Sequence, residues 1–367
     1  MPPTRLTRRH LAVLSVALLA ALAALMSGTA ARVDRSIDAL RFATWTRSAG
    51  QQVVLVEMDA ASVAAIRQWP WSRDHYAAVV DRLRAAGAAS VTFDVDFSSP
   101  STTAGDAAFA AALVRADGLV ALPTFAQQAR SGDRRAMDAL PLPAFRSHVA
   151  LASVSMQPDS DGIVRRAPFG TVTAGVPRPS LSSIMAGRSG RADDFFPIDF
   201  GIDPGTIPRL SFMDVHDGRF APGMVKGRDI LIGATAIEMG DRYATPRWGV
   251  IPGVVVQAMA AETLMRGVPA ERSAFATMAA ALLLATLVVA CGRPWMLTLA
   301  AVSAIGLLFV AAVWAQVALQ EVYPLAAGLL LVAVAASGRA ALFLLDRFDR
   351  QRRFDEDTGL PNRRAMI

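Results

Sequence analysis

The feature that most constrains this chain is a set of four long apolar stretches. They cover residues 11–28, 274–291, 295–317 and 323–345. Each has about the length, roughly 20 residues, that a helix needs to cross the hydrocarbon core of a bilayer. The composition agrees, because 53% of the 367 residues are hydrophobic. We therefore predict four transmembrane helices.

Basic residues beside these stretches predict how the chain is oriented. Arginines cluster within residues 1–10 and 346–367, and Arg293 lies in the short turn between the second and third stretches. Because basic residues near the ends of a span favour the cytoplasmic side, both termini are predicted to be cytoplasmic and residues 31–272 to lie outside. The first stretch also fits a signal peptide, although we favour an uncleaved anchor.

Residues 31–272 have the pattern of an α/β domain. VVLVEMD (53–59) and RDILIGATA (228–236) predict buried strands, and IPGVVVQAMAAETLMRG (251–267) predicts a helix. Another helix is predicted from Ser72, as its N-cap, to a stop at Gly87. Trp69 and Trp71 are predicted to anchor that helix by packing. Strand, helix and strand in this order favour a parallel sheet.

VTFDVDF (91–97) alternates between apolar and polar residues. One face would carry the apolar residues, Val91, Phe93, Val95 and Phe97, and the other would carry the polar residues, Thr92, Asp94 and Asp96. A period of two predicts a half-buried strand.

Several site classes find no support in the sequence. The single cysteine, Cys291, excludes an intramolecular disulfide, and the four histidines are scattered. Neither a Gly-x-Ser-x-Gly elbow nor a His-Glu-x-x-His motif occurs. We expect no catalytic residue, metal or cofactor in this chain, and no nucleic-acid partner.

Five segments, in order, carry a family resemblance. WPWSRDHYA, FDVDFSSPS, DGIVRRAP, LIGATAIEMGDRYATP and IPGVVVQAMAAETLMRG resemble the signature segments of the type-2 CHASE domain, over residues 36–272. The resemblance implies an extracellular sensory module of bacterial receptors. Members of that family typically follow one N-terminal span and precede three C-terminal spans, which is the layout that hydropathy and charge predict.

A ligand site in such a domain is expected at the carboxyl ends of the parallel strands. The candidate residues lie at strand ends and in loops, and they are Asp59, Asp94, Asp96, Arg165 and Asp241. Carboxylates and arginines in a cleft would suit a small polar or zwitterionic ligand. The alternative is that the aspartates cap helices or tighten turns and that the arginine holds a loop.

The last segment, RRFDEDTGLPNRRAMI, resembles the first motif of the GGDEF domain, the diguanylate cyclase module. Asp355, Thr358, Gly359 and Asn362 match the motif, whereas Asp357 stands where that family usually has leucine. The resemblance implies that Asn362 contacts the guanine of GTP, and that Asp355, Thr358 and Gly359 belong to the joint that receives the incoming helix. A basic helix bound to anionic membrane lipid is the alternative.

The predicted fold class is therefore an α/β periplasmic sensor domain with four transmembrane helices and the start of an α/β GGDEF domain. The expected protein is a bacterial inner-membrane receptor whose longer parent makes cyclic di-GMP from two GTP. Magnesium would bind in the part of the cyclase that this sequence does not include, and the parent is expected to be a homodimer. Two alternatives stay open: a parent with an added EAL phosphodiesterase, and a short, non-catalytic membrane sensor.

Overall fold

The computed structural model describes residues 7–128, 136–173 and 175–353. The chain divides into a helical unit, within Met1–Arg41 and Pro269–Ile367, and an α/β unit, Phe42–Val268. Asp355, Thr358, Gly359 and Asn362 lie outside the described residues. The predicted start of a GGDEF domain therefore stays a prediction.

The described α-helices follow the chain in this order: α1 Arg8–Met26, α2 Thr29–Thr44, α3 Ala60–Ile66, α4 Arg73–Ala85, α5 Thr103–Ala116, α6 Leu181–Met185, α7 Phe212–Asp217, α8 Gly253–Arg266, α9 Ala274–Val289, α10 Pro294–Ala318 and α11 Ala326–Arg353. The described strands are β1 Val53–Met58, β2 Ser90–Asp94, β3 Val120–Gln128, β4 Ala136–Ala139, β5 Ala150–Ser153, β6 Arg166–Pro168, β7 Gly170–Thr173, β8 Val176–Pro179, β9 Phe195–Pro197, β10 Arg209–Ser211, β11 Asp229–Ala234, β12 Arg242–Thr245, β13 Gly249–Pro252, β14 Ala270–Glu271 and β15 Glu321–Val322.

The main sheet of the α/β unit has the strand order β10-β1-β11-β2-β3-β4, and β5 also pairs with β3. Every pairing in it is parallel except that of β3 with β4. The predicted parallel sheet is thus confirmed. Strand β11 comes late in the chain, yet it lies between β1 and β2, so the carboxyl ends of these three strands meet at one edge.

Two apolar cores cover the two faces of this sheet. One core packs α4, α5 and α7 against side chains such as Val54, Phe93 and Ile232. The other packs α6 and α8 against the alternate side chains, such as Leu55 and Leu231. Sheets with parallel strands are normally covered in this way on both faces.

The prediction of a half-buried strand at residues 91–97 is wrong. Strand β2 ends at Asp94, and Thr92 on its supposedly polar face is fully buried. The reason is that β2 lies between β11 and β3, under both cores. Asp96 comes after the strand, where its exposed carboxylate accepts hydrogen bonds from the backbone N–H and the hydroxyl of Ser98 at 2.8 and 3.0 Å.

Three described helices are long and apolar enough to cross a membrane. They are α1, with 19 residues, α10, with 25, and the Ala326–Asp349 part of α11, with 24. The remaining predicted span corresponds to α9, which is apolar but has 16 residues. Helix α11 continues to Arg353, eight residues past the end of the last apolar stretch at residue 345.

Small side chains let the helices of this unit approach closely. A Cβ atom built on Gly328 of α11 would lie 3.2 Å from the Thr277 carbonyl oxygen and 3.4 Å from the Cβ of Ala281, both on α9.

Asp34 of α2 accepts hydrogen bonds from the backbone N–H groups of Leu325 and Ala326 at 2.7 and 2.8 Å, and so caps the start of α11.

Candidate functional site

A cavity of about 600 Å³ opens at the carboxyl edge of the main sheet. Its walls come from the ends of β1, β2, β3, β5 and β11, from the loops that follow them, and from the first turns of α8. The lining residues are Met58, Trp69, Asp94, Val95, Asp96, Phe125, Val154, Ser155, Met156, Gln157, Ala234, Met239, Asp241, Tyr243, Gly253 and Gln257. Open parallel sheets usually bind ligands at this edge, and the volume suits a small molecule.

Asp94 and Asp241 bring two carboxyl groups into this cavity. Asp94 is the last residue of β2 and is half-buried. Burial raises the pKa of Asp94 to about 8, and the negative charge of Asp241 adds to that rise. Asp241 keeps contact with solvent on one side, but the protein around its carboxylate also raises its pKa. The site therefore holds the carboxyl groups of Asp94 and Asp241 in surroundings that disfavour their charged forms.

Asp241 is held beside the N-terminus of α8. The backbone N–H of Gly253 donates to the Asp241 carbonyl oxygen at 3.0 Å, and the Asp241 carboxylate lies against the Gly253 Cα. A Cβ built on Gly253 would lie 2.7 Å from the Asp241 Cγ, which is closer than real Cβ contacts allow. Only glycine leaves room for this carboxylate beside the start of α8.

Gln257 adds a buried amide to the cavity wall, one turn further along α8. The side chain is 3% exposed, and its Nε2 donates to the Val154 carbonyl oxygen at 3.1 Å. The Gln257 Oε1 has no hydrogen-bond partner among the described residues. Because a buried acceptor without a partner costs free energy, it is a group that a bound donor would satisfy.

The rest of the lining is largely apolar and aromatic. Trp69 and Phe125 contribute rings, and Met156 and Met239 contribute thioether side chains. Burial raises the pKa of Tyr243 to about 12, with the charges of Asp241 and Asp94 adding to the effect. None of the described residues that line the cavity is basic.

Of the five candidate residues from the sequence, the structure brings Asp94, Asp96 and Asp241 to the cavity, while Asp59 and Arg165 are not part of its lining. Asp59 caps α3, because its Oδ1 accepts from the backbone N–H and the hydroxyl of Ser62 at 2.8 and 2.6 Å.

Arg165 holds the loop before β6, through ion pairs with Asp159 at 2.8 Å and Asp161 at 2.9 Å. For Asp59 and Arg165, the contacts match the structural alternative that the sequence left open.

The cavity also contains residues that the sequence did not mark as candidates, and Trp69, Tyr243 and Gln257 are the ones that bear most on its chemistry. Trp71 is buried, as predicted. Trp69 packs its ring edge-to-face against Trp71, with the ring centroids 5.9 Å apart, but it is 56% exposed and also lines the cavity. Tyr243 and Gln257 had no motif to mark them. A usable signal for Gln257 was its spacing: it lies four residues after Gly253 and therefore on the same face of α8.

Comparison with known families agrees with this architecture. The model of the CHASE2 domain matches residues 15–305, which is more than half of the chain and includes every cavity residue. This chain belongs to the CHASE2 family. CHASE2 domains are extracellular sensor domains of signalling receptors. No curated protein and no solved structure matches this CHASE2 chain.

Proposed function

We propose that this CHASE2 protein is a bacterial inner-membrane receptor. The cavity at the sheet edge would receive an external ligand, and the membrane helices would carry the response to a cytoplasmic output. Family membership and the three membrane-length helices support the coarse form of this proposal. The proposal also specifies the orientation of the chain in the membrane, the cavity as the ligand site, and the cytoplasmic output domain.

The observation that carries the sensory role is the course of α8. The helix begins with Gly253 beside Asp241, contributes Gln257 to the cavity, and is buried continuously from Gly253 to Leu264. After α8 the chain passes through residues 267–273 into α9. A change at the cavity therefore acts on a packed helix that leads, along the chain, to a proposed span.

Helix α9 decides whether the output can be cytoplasmic. With α9 as a fourth span, both termini lie on the cytoplasmic side, whereas with three spans they lie on opposite sides. Sixteen residues rise about 24 Å, somewhat less than the roughly 30 Å of a bilayer core. Local thinning of the bilayer accommodates such a mismatch, so we propose four spans.

The proposed output is a diguanylate cyclase. The described part of α11 ends at Arg353, and the stretch that follows resembles the start of a GGDEF domain. A continuous helix is suited to pass a small rotation or shift to such a domain. The cyclase would use GTP and magnesium in residues beyond this sequence, and would act as a homodimer with two domains face to face.

Cysteine labelling tests the orientation. In a Cys291→Ser background, a cysteine in place of the exposed Val114 should react with a membrane-impermeant maleimide in spheroplasts. A cysteine in place of Gln351 should react only after permeabilisation. Labelling of Gln351→Cys from the outside would contradict the four-span receptor.

A chimera tests the output. The chain would be joined, within its Thr358–Arg364 motif, to the remainder of an active GGDEF domain, and cyclic di-GMP would be measured in cells. We expect Asp94→Asn to change the cyclic di-GMP level, and Asp117→Asn, an exposed carboxylate on α5's C-terminal cap, to leave it unchanged. Equal levels in all variants would contradict coupling between cavity and output.

A further inference from the structure

The cavity lining specifies a class of ligand, if the cavity is the sensory site proposed above. We propose that it binds a small organic cation, a protonated amine with an apolar or aromatic carbon skeleton. The ammonium group would lie between Asp94 and Asp241, and the carbon skeleton would lie against Trp69 and Phe125.

Charge is the first argument. The cavity has three carboxyl groups and no basic side chain among its described lining residues. Arginines near the lining in sequence have partners elsewhere. Arg242, between Asp241 and Tyr243, donates from its Nη2 to the Val250 carbonyl oxygen at 2.8 Å. Arg73 Nη2 donates to the Asp96 and Ser99 carbonyl oxygens at 3.1 and 3.3 Å, and Arg165 is held in its two ion pairs. An anionic ligand would place a negative charge beside these carboxyl groups with no basic side chain of the lining to balance it, whereas a cation would pair with them and favour their ionised forms.

Hydrogen-bonding capacity is the second argument, and it is independent of charge. One N–H of the Gln257 amide donates to the Val154 carbonyl oxygen, and the buried acceptor Oε1 has no partner among the described residues. The carboxylates of Asp94 and Asp241 are also acceptors when ionised. A ligand that brings several N–H donors, as an ammonium group does, satisfies all of these groups at once.

The start of α8 would normally attract an anion, because its free N–H groups and dipole are positive. In this structure the Asp241 carboxylate already lies beside that start, against Gly253. An anionic ligand would have to displace Asp241. A cation instead meets a carboxyl group that is already present beside the helix start.

The apolar wall distinguishes an organic cation from a metal ion. No group of three or more His, Cys, Asp and Glu side chains in the described residues is arranged to hold a metal. Trp69, Phe125, Met156 and Met239 offer no hard oxygen ligands, but they suit a carbon skeleton. Aromatic faces also attract organic cations directly.

Binding should release a proton. In the empty cavity Asp94 has a pKa of about 8 and is largely protonated at neutral pH. Because an adjacent ammonium favours the carboxylate, Asp94 loses its proton when the amine binds. The affinity for an amine should therefore rise with pH, by up to about tenfold per unit, until the pH reaches about 8.

The test uses matched compounds of one carbon skeleton. The full chain in detergent is titrated with 2-phenylethylamine, 2-phenylethanol and phenylacetate at pH 7.5, and again with butylamine, butanol and butyrate, while the Tm is followed by tryptophan fluorescence. We expect the amines to raise the Tm at millimolar concentration and the alcohols and acids to leave it unchanged. Asp94→Asn and Asp241→Asn should each weaken amine binding by about tenfold or more. Asp117→Asn removes the same charge outside the cavity and should not.

Each other outcome overturns the inference in a distinct way. If an acid or alcohol binds, and Gln257→Leu abolishes its binding, the cavity is a ligand site but not one for cations, and the proposed receptor function stands. If the amines bind equally well to Asp94→Asn and Asp241→Asn, the two carboxyl groups do not recognise them. If no compound shifts the Tm, the cavity fails both as a cation site and as the proposed sensory site.

Discussion

Replacement of Asp94 by asparagine should change how the stability of the empty protein depends on pH. The folded protein raises the pKa of Asp94 from 3.8 to about 8, mainly by burial. Between these two values the folded state holds a proton that the unfolded state has lost. The free energy of unfolding therefore decreases as the pH rises through this range. The protonated Asp94 makes its full contribution to stability only below about pH 4. Asparagine has no proton to lose, so the variant lacks this decrease.

The size of the effect follows from the width of the range. Each pH unit corresponds to about 1.4 kcal/mol, so the rise to about pH 8 sets a ceiling of roughly 6 kcal/mol. Asp94 is only half-buried, and water in the cavity reduces that value. We expect Asp94→Asn to gain stability relative to the wild type between pH 4.5 and 8.5, by at least about 2 kcal/mol and by less than this ceiling. A gain of about 2 kcal/mol corresponds to a rise of roughly 4 to 8 °C in Tm.

The assay is thermal unfolding of both proteins in the same detergent, at half-unit steps of pH, followed by tryptophan fluorescence. The quantity of interest is the difference in Tm between variant and wild type at each pH, because other groups titrate in both proteins. Asp117→Asn is the control and should give a flat difference. A difference for Asp94→Asn that is also flat, or that falls with pH, would refute a raised pKa for Asp94 in the folded state.

Three further predictions follow from single contacts. Gly253→Ala should displace the Asp241 carboxylate and weaken amine binding, which the same titration measures. Unchanged affinity would show that amine binding does not need the close approach of Asp241 to Gly253. Asp59→Ala should lower stability by about 1 kcal/mol through loss of the α3 cap, measured by thermal unfolding, while amine affinity stays as in the wild type. Gly328→Leu should separate α11 from α9 and lower the thermal stability of the protein in detergent, whereas Ala333→Leu, at an exposed position of the same helix, should not.

The sequence predicted the elements whose residues repeat with a clear period. Strand β1, strand β11 and helix α8 all form where an apolar run or a helical spacing indicated them. The parallel sheet followed from the alternation of strands and helices. Strand β10 was not predicted, because its three residues lie in a segment rich in proline and glycine, and only pairing with β1 makes them a strand.

The cavity was predictable only in part, for a physical reason. Strand-end position indicated Asp94, and the Asp241 loop was a candidate, but their interaction depends on β11 lying between β1 and β2. That pairing joins residues far apart in sequence, and no local pattern encodes it. Gln257 lies within an apolar helix. Only the structure shows that its Nε2 donates to the Val154 carbonyl oxygen while its Oε1 has no partner among the described residues.

The packing of α8 indicates how the free energy of ligand binding is coupled to a movement of this helix. A ligand shifts a receptor only by as much as it binds one state better than the other. In the empty cavity, Asp94 is held in surroundings that raise its pKa, so an amine that ionises it creates a charge pair that the empty state lacks.

The nearest element that can respond is α8. Asp241 lies against Gly253 at its start, and a Cβ built on Gly233 of β11 would lie 2.7 Å from the Val254 Cγ2. Helix α8 is therefore packed tightly against β11, and it is buried as far as Leu264. Because such packing resists local deformation, a shift of Asp241 toward the ammonium should move α8 as a rigid body along the sheet and should not bend its first turn.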